Sequence, residues 1–278
     1  MRSRSPFSRL CNARTRPKNE FEGRAIGALK IIVQSAHIDG PGWRWRQPNA
    51  SVTIRTNSTK LKTETQPTTY DPSWITSTFH VLVKSSKQEV EMRVYDDRRV
   101  LGEASFDMSL LVESRMKLDA QLPFSKHHKR RGDLLCSLFY FPIALSPKND
   151  SDVGIVCLTL HRAEGLRRHN SMPIARIRLA WDAPAIHITR PGKMIENELA
   201  VWESMHEFLC FNKSACVVYI DVLNNRREEQ VVGHVCISLT DLVEATDTGG
   251  GRWPLSGSVA GKLVASAEWR PLDVEPDL

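Results

Sequence analysis

The segment Gly42-Trp43-Arg44-Trp45-Arg46 alternates two side-chain types that are attracted to lipid surfaces. Because successive residues of an extended chain point to opposite faces, Trp43 and Trp45 are expected to project together, with Arg44 and Arg46 on the other side. Indole rings favour the lipid–water interface, and guanidinium groups favour lipid phosphates. The segment therefore predicts a loop tip that enters a bilayer surface. The alternative is that one or both tryptophans pack against neighbouring protein.

A second basic segment is the run Lys-His-His-Lys-Arg-Arg at residues 126–131. It could contact phospholipid or nucleic acid, whereas a solvated loop is the ordinary role of such a run. Adjacent histidines on one backbone do not readily chelate one metal ion. No RNA- or DNA-binding signature accompanies the run, so no nucleic acid partner is expected.

Motifs of catalysis are missing from the sequence, which has no glycine-rich phosphate loop, no HExxH and no GxSxG. The cysteines form no CxxC pair, and a zinc site would need closer ligand spacing. Without a secretion signal, reduced thiols in the core are expected rather than disulfides. We therefore expect no enzyme, no cofactor and no metal. The cysteines are Cys11, Cys136, Cys157, Cys210, Cys216 and Cys236.

One pattern occurs twice in the chain. Residues 94–102 read strand, polar turn, strand, and residues 222–233 repeat that shape with Asn224 and Asn225 in place of Asp96 and Asp97. Corresponding residues of the two copies are separated by 127 to 129 residues, and so constant a separation indicates a duplicated domain. The separation is far longer than the ~20–50 residues of a solenoid repeat. The pairs that lie 127 to 129 residues apart are Gly27 with Gly154, Trp74 with Trp202, Asp96 with Asn224, and Gly132 with Gly261.

Each unit reads as a series of short strands separated by turn residues. In the first unit we expect strands at residues 29–33, 51–55, 60–63, 78–83, 90–94 and 133–141, with a helical turn at 109–112. In the second unit we expect strands at 155–160, 175–179, 186–189, 206–210, 217–222, 231–237 and 262–269, with a helical turn at 239–243. Many short strands with almost no helical period predict an antiparallel β-sandwich.

Charge is divided unevenly along the chain. Residues 1–19 carry six basic side chains and no acidic one, residues 24–145 carry a net charge of +6, and residues 146–278 carry −4. An anionic surface should therefore attract the tail and the first unit. We divide the chain into a disordered basic tail (1–23), a first domain (24–143), a polar linker (144–152), a second domain (153–273) and a short tail (274–278).

The basic start also has the composition of a mitochondrial presequence, although Pro6 and Pro17 and the lack of an apolar face argue against one. No run approaches the ~18 apolar residues that a membrane-spanning helix needs. Contact with a membrane would therefore be peripheral.

An ordered series of segments carries a resemblance to a known family. These segments are Asp71-Pro72-Ser73-Trp74, Val94-Tyr95-Asp96, residues 101–107, 132–142, 154–166, Phe208-Leu209, Trp253-Pro254-Leu255 and residues 268–272. Together they resemble a pair of C2 domains, and they are most similar to the tandem C2 region of the fungal tricalbins, relatives of the extended synaptotagmins. The resemblance covers about residues 24–273. It implies an all-β fold of two tandem, eight-stranded, antiparallel Greek-key C2 sandwiches.

The same resemblance raises calcium binding, since C2 domains often hold Ca²⁺ with loop aspartates and the ion needs six to eight oxygen ligands. The weak candidates in the first unit are Asp39, Asp96 and Asp97. Gln47 stands where the family commonly has an aspartate, and the cations Arg98 and Arg99 follow the acid pair at once. In the second unit amides replace the acids. We therefore expect a fold that does not depend on calcium.

Some C2 domains bind anionic head groups on a basic concave face, and Lys60 and Lys62 on the third strand resemble it. Ordinary solvated strand charges are the alternative. The residues expected to contact lipid are Trp43, Arg44, Trp45, Arg46, Lys60, Lys62, Arg98 and Arg99.

The sequence therefore predicts a cytoplasmic, calcium-independent peripheral module that binds anionic phospholipid membranes. By resemblance, its role would be tethering or targeting at contacts between endoplasmic reticulum and plasma membrane. The family's lipid-transfer domain and membrane anchor have no counterpart in the sequence, so transfer activity is not expected. The second domain would be a spacer or would bind a protein partner. The alternatives are a protein–protein scaffold of degenerate C2 domains without lipid binding, and a degenerate fragment with no independent role.

Overall fold

The computed structural model describes residues 23–40, 46–56, 60–145, 151–166, 172–195, 198–224, 230–247 and 251–274. Within these ranges the first unit consists of eight strands and one short helix. They are β1 (Gly27–Ile38), β2 (Ala50–Arg55), β3 (Lys60–Lys62), β4 (Ser73–Val83), β5 (Glu89–Asp96), β6 (Arg99–Asp107), α1 (Ser109–Val112), β7 (Met116–Lys126) and β8 (Lys129–Pro142).

Antiparallel pairing orders these strands β3-β2-β5-β6-β7-β8-β1-β4. β6 and β7 pair at Glu103 and Ser125, and the sheet folds over there into two layers. Alternation of apolar and polar residues places one face of each strand in the core, as Val90, Met92 and Val94 of β5 show by their complete burial. The layers β3-β2-β5-β6 and β7-β8-β1-β4 enclose one hydrophobic core.

Trp74 and Gly132 each fix a local feature of the first sandwich. The indole of Trp74 is buried, and its Nε1 donates a hydrogen bond to the carbonyl oxygen of Glu64 at 2.9 Å. Gly132 has a φ of +143°, and a Cβ there would lie 1.9 Å from the carbonyl oxygen of His37. Only glycine allows β8 to approach the end of β1 this closely.

The second unit repeats the arrangement with nine strands and one helix in the described ranges. They are β9 (Gly154–Glu164), β10 (Pro173–Arg178), β11 (His187–Ile188), β12 (Lys193–Ile195), β13 (Leu199–Cys210), β14 (Val217–Asn224), β15 (Gln230–Ser238), α2 (Leu239–Asp247), β16 (Gly251–Pro254) and β17 (Lys262–Pro271). The sheets β11-β10-β14-β15 and β12-β13-β9-β17-β16 face each other across a second core. The expected all-β tandem sandwich is confirmed.

The structure adds elements that the sequence pattern did not reveal. β7, β12 and β16 lie outside the strands expected above. β12 and β16 are short and have no buried residue. β7 does alternate, with Ala120, Leu122 and Phe124 buried between exposed residues, and the sequence analysis did not identify it. The basic run at residues 126–131, expected as a solvated loop, forms the β7–β8 hairpin. Its turn residues His127 and His128 both have positive φ, 50° and 62°, as a two-residue type I′ turn requires.

The two units also contact each other directly. Ala25, Ala28, Ile155 and Leu272 form a small buried cluster between them. The carboxylate of Glu207, whose side chain is 5% exposed, accepts hydrogen bonds from the amide of Ala25 at 3.1 Å and lies 3.6 Å from Arg270 Nη1. Burial of a carboxylate requires such partners, so this contact is a specific one.

Candidate functional site

Three connections of the first unit meet at one end of its sandwich. They are the described part of the β1–β2 connection (residues 39–40 and 46–49), the β3–β4 connection and the short β5–β6 turn. Ala50 at the start of β2 pairs with Asp96 at the end of β5 and forms a bridge with Gln66 in the β3–β4 connection. The amide of Ile38, at the end of β1, donates to the carbonyl oxygen of Tyr70 at 2.8 Å. Strand register therefore places all three connections side by side.

A cleft of about 620 Å³ lies between these connections. Ile38, Pro48 and Leu101 supply the apolar part of its lining. Its aromatic and charged lining residues are Arg46, Tyr70, Asp96, Asp97, Arg98 and Arg99. Three guanidinium groups therefore face two carboxylates, and the lining carries an excess of positive charge.

Both carboxylates of the cleft are engaged by groups of the chain itself. The backbone amide of Asn49 donates to Asp96 Oδ1 at 3.0 Å. The side-chain amide of Asn49 donates to both oxygens of Asp97 at 3.3 Å, and Arg46 Nη2 lies 3.4 Å from Asp97 Oδ2. Asn49 holds this position because it directly precedes β2, which pairs with β5.

The backbone of the β5–β6 turn is set by Asp97. Its φ is +50°, in the left-handed region that aspartate tolerates better than most residues. Its amide donates to the carbonyl oxygen of Asn49 at 3.0 Å, which ties the turn to the β1–β2 connection. Arg98 and Arg99 follow and are both exposed. The short turn thus presents two cations where the strands end.

Asp39, the remaining acid proposed as a calcium ligand, is exposed and is not part of the cleft lining. Its amide donates to the carbonyl oxygen of Arg131 at 2.8 Å. Nearby, the hydrogen bond between His37 Nδ1 and Asp71 Oδ1, 2.6 Å long, raises the pKa of His37. Across the described residues, no three His, Cys, Asp or Glu side chains are grouped so that they could hold a metal ion.

Comparison with known proteins identifies both units. The profile of the C2 domain family matches residues 27–123 and again residues 154–253, which together make up well over half of the chain. The chain belongs to the C2 domain family. Each sandwich is one C2 domain, and the cleft described above belongs to the first.

Solved structures of tandem C2 domains are similar to this chain. The two C2 domains of extended synaptotagmin 2, in a calcium-bound structure, match at 19% identity with a TM-score of 0.70, over 91% of this chain and 99% of that one. A further structure of these two domains matches at 18% identity with a TM-score of 0.67, over 99% and 100%. The resemblance inferred from the sequence is thereby confirmed at the level of the fold.

Two comparisons involve longer proteins. The chain covers 58% of an extended synaptotagmin 2 structure that contains an SMP domain besides the two C2 domains, at 19% identity over 91% of this chain and a TM-score of 0.72. It is 23% identical over 212 residues to an uncharacterized protein of Schizosaccharomyces pombe, a match that covers 72% of this chain and 17% of that protein. The chain therefore spans about a sixth of the length of this curated relative.

Lys60 and Lys62 lie on the outer face of the first C2 domain, away from the cleft lining. Both are exposed on the edge strand β3, opposite Arg55 and Thr53 of β2 in the register. Further into the same face, Arg93 forms ion pairs with Glu91 and Glu103, so its charge is compensated. The exposed positive charge of this face is therefore concentrated at its β3 edge.

The second C2 domain treats the matching face differently. Asp221 of β14, whose side chain is 5% exposed, lies 3.0 Å from Arg176 Nη2 and 2.9 Å from Arg178 Nη2. The guanidinium of Arg178 also lies over the ring of Trp181, 5.3 Å from its centroid. At the end of β14, where the first domain has Asp96, the second has the buried Asn224.

Of the residues expected to contact lipid, the structure brings Arg46, Arg98 and Arg99 together around the cleft. Trp43, Arg44 and Trp45 lie outside the described residues, as do the tail at 1–22, the linker core at 146–150 and Asn225. Sequence reasoning missed Asn49 and Tyr70. Asn49 carried no local signal, since its place beside Asp96 and Asp97 depends on the register of β2 with β5. Among the described helices, none has the length and apolar character that crossing a bilayer would take.

Proposed function

We propose that this protein is a non-enzymatic peripheral module whose first C2 domain binds anionic phospholipid membranes without calcium. The observation that carries this proposal is the cleft of the first domain, where three arginines line the wall and both carboxylates already have partners within the chain. Lipid phosphates and carboxylates are the ligands that guanidinium groups prefer.

The charges of this cleft make it a poor binding site for Ca²⁺. The ion needs several carboxylate oxygens that converge from two loops. Here Asp96 and Asp97 come from one turn, Asn49 occupies oxygens of both, and Arg46 adds a cation beside them. A divalent cation would have to displace these contacts while three guanidinium groups repel it.

Attraction of the first domain to the membrane is electrostatic in large part. A basic residue near an anionic bilayer contributes about 1 kcal/mol, so the few arginines and lysines of this domain suffice for reversible binding. The net charge of residues 24–145 is +6, whereas that of residues 146–278 is −4. The first domain and the basic tail would provide adhesion, and the second domain would hold the module at a distance or bind a protein.

Tethering or targeting at contacts between endoplasmic reticulum and plasma membrane is the cellular role we propose. It is supported by the likeness of the whole chain to the tandem C2 domains of extended synaptotagmin 2. The module would act from the cytoplasmic side, peripheral to the bilayer.

Co-sedimentation with vesicles tests membrane binding. The full chain is mixed with vesicles of phosphatidylcholine alone or with phosphatidylserine, over a series of salt concentrations. We expect binding to the phosphatidylserine vesicles at low salt and its progressive loss as salt screens the charges. Absence of binding at every salt concentration would refute the proposal.

Replacement of Trp43 and Trp45 by alanine in the same assay tests whether these side chains insert into the bilayer. Unchanged binding would refute their insertion.

A protein–protein scaffold is the second candidate, and one surface favours it. Trp181 of the second C2 domain is 59% exposed and makes edge-to-face contacts with Tyr219 and His234. An exposed aromatic group of this kind is typical of protein interfaces. If vesicles are not bound under any condition, this role becomes the better account.

A further inference from the structure

Three polar side chains of the second C2 domain form one continuous line of hydrogen bonds. His161 Nδ1 lies 2.9 Å from Glu203 Oε2, and His161 Nε2 lies 2.8 Å from Ser266 Oγ. The residues belong to β9, β13 and β17, which are neighbours in one sheet. Glu203 and Ser266 are 42 and 105 positions from His161 along the chain, so no local sequence motif marks the group.

The backbone departs from regular strand geometry where this group lies. In the pairing of β9 with β17 the register skips His161, which is therefore an extra residue. In the pairing of β13 with β9 the register shifts between Val201 and Ser204, the stretch that contains Glu203. Glu203 also has a φ of +45°, in the left-handed region that glutamate seldom adopts. Irregularities of this kind redirect side chains, and two of them coincide here.

The chemistry of the three groups sets the direction of the hydrogen bonds. An ionised carboxylate only accepts, so a neutral imidazole at His161 carries its proton on Nδ1 and donates it to Glu203. Nε2 then has a free lone pair, which accepts from the hydroxyl group of Ser266. A hydroxyl group held against an imidazole that a carboxylate orients is the arrangement that activates serine as a nucleophile.

The group is open to solvent on the face of the sheet that points away from the core. The side chain of His161 is 30% exposed, that of Glu203 is 60% exposed, and Ser266 is partly exposed. Thr159 pairs with both Ser266 and Met205, so these three side chains share that face. Met205 is 49% exposed. A small electrophile can therefore reach Ser266 Oγ.

We propose that Ser266 is a nucleophile that accepts an acyl group from an activated carboxylic ester or thioester. Oγ attacks the carbonyl carbon while His161 Nε2 takes the hydroxyl proton, and Glu203 compensates the charge of the imidazolium. The tetrahedral intermediate collapses, the bond from the carbonyl carbon to the leaving oxygen or sulfur breaks, and His161 gives its proton to the departing group. The products are an ester of Ser266 and a free alcohol or thiol, and no atom is oxidised or reduced.

This reaction modifies the chain once and goes no further than the ester. It therefore leaves the proposed non-enzymatic role in place, and it does not depend on membrane binding by the first C2 domain.

Acetylation of the full chain by p-nitrophenyl acetate tests the proposal. Trypsin releases Ser266 in the peptide 263–278, which contains no other serine and no threonine, tyrosine, lysine or cysteine. The matched reference is Ser35, the only hydroxyl-bearing residue of the tryptic peptide 31–44. Ser35 is also partly exposed at a register shift in a strand, and it has no histidine partner among the described residues. Mass spectrometry should show Ser266 acetylated at least about tenfold faster than Ser35.

Replacements at the other two positions separate activation from simple exposure. H161Q should slow the acetylation of Ser266 to the rate of Ser35, and E203Q should slow it less, because the base remains and only its orientation and charge compensation are lost. In the parent chain the rate should rise with pH and level off once the imidazole is neutral. E203Q should keep this plateau at a lower height, whereas H161Q should lose it.

Thermal melts show whether the variants remain folded. Should either variant melt early, the comparison of Ser266 with Ser35 in the parent chain decides alone. Equal rates at these two serines, or an H161Q variant that is acetylated at Ser266 as fast as the parent chain, would overturn the proposal.

Discussion

The two C2 domains use their arginines in opposite ways, although their strands follow the same order. In the second domain, Arg176 and Arg178 close onto Asp221, a carboxylate with a 5% exposed side chain. In the first domain, Arg46 and Arg98 are exposed at a cleft. The contact of Arg46 with Asp97 is 3.4 Å long, and the side chain of Arg46 is more than half exposed while that of Asp97 is half exposed. The scaffold is shared, and the placement of charge is not.

We interpret this difference as a structural use of charge in the second domain and, in line with the proposed function, a binding use in the first. A buried carboxylate is tolerated only with cations beside it, so Arg176 and Arg178 are required by the fold of the second domain. An exposed ion pair contributes at most about 1 kcal/mol to stability, so Arg46 and Arg98 are not required in that way. Their positions at the cleft are consistent with binding an external anion.

The largest effect is expected from breaking the buried group of the second domain. D221A leaves Arg176 and Arg178 partly buried without their carboxylate, and it should lower the free energy of unfolding by about 3 kcal/mol. Urea denaturation followed by circular dichroism measures this. Vesicle binding at low temperature should be unchanged if the first domain carries it, as proposed above. A loss below about 1 kcal/mol would show that this ion pair is no more structural than the exposed one.

Removal of the cations at the cleft should have the next largest effect, and on binding instead of stability. The triple variant R46Q/R98Q/R99Q should weaken binding to phosphatidylserine vesicles by up to about 3 kcal/mol, roughly a hundredfold, at about 1 kcal/mol for each cation. The matched control removes three exposed cations of the second domain, with K193Q/R252Q/K262Q. Equal losses in both variants would mean that net charge alone decides binding.

Acid should affect the second domain through a stacked histidine pair. The rings of His187 and His206 lie 4.4 Å apart, and burial lowers the pKa of His206 to about 4, with a contribution from His187 and Lys84. The unfolded chain binds a proton near pH 6.5, and the folded chain does so only near pH 4, so the free energy of unfolding falls as pH falls through this window. We expect a loss of about 1.5 kcal/mol between about pH 6.5 and pH 5.

The variant H206F provides the comparison for this measurement. Phenylalanine keeps the stacked ring and removes the ionisable group, so the slope of stability against pH should flatten across the same window. A slope identical to that of the parent chain would show that another group controls the acid response.

Particular residues show what the sequence could and could not predict. Alternation of buried and exposed residues predicted β5 and β10, because each strand has one face in the core. It could not predict the first half of β7, where Met116 and Leu118 are exposed and a bulge interrupts the register between Lys117 and Ala120. The second half does alternate, with Ala120, Leu122 and Phe124 buried, and was missed. That Arg98 and Arg99 lie beside Asp96 and Asp97 at a strand end could be predicted, and their role in binding stays a prediction.

Contacts between distant residues could not be predicted in this way. Asn49 holds Asp96 and Asp97 from 47 and 48 positions away, which follows from the register of β2 and β5 and not from any local pattern. The closure of Arg176 and Arg178 onto Asp221 likewise depends on the pairing of β10 with β14. Sequence therefore predicted which residues carry charge, and the structure determines which of those charges remain exposed.

The most direct test of the account measures how calcium changes vesicle binding by the parent chain and by D97N. Without a calcium site, the dissociation constants with chelator and with millimolar calcium should agree. D97N should then bind phosphatidylserine vesicles more tightly, by up to about 1 kcal/mol or fivefold, because it removes a negative charge from the cleft. Tighter binding of the parent chain in calcium by tenfold or more, lost in D97N, would contradict the account.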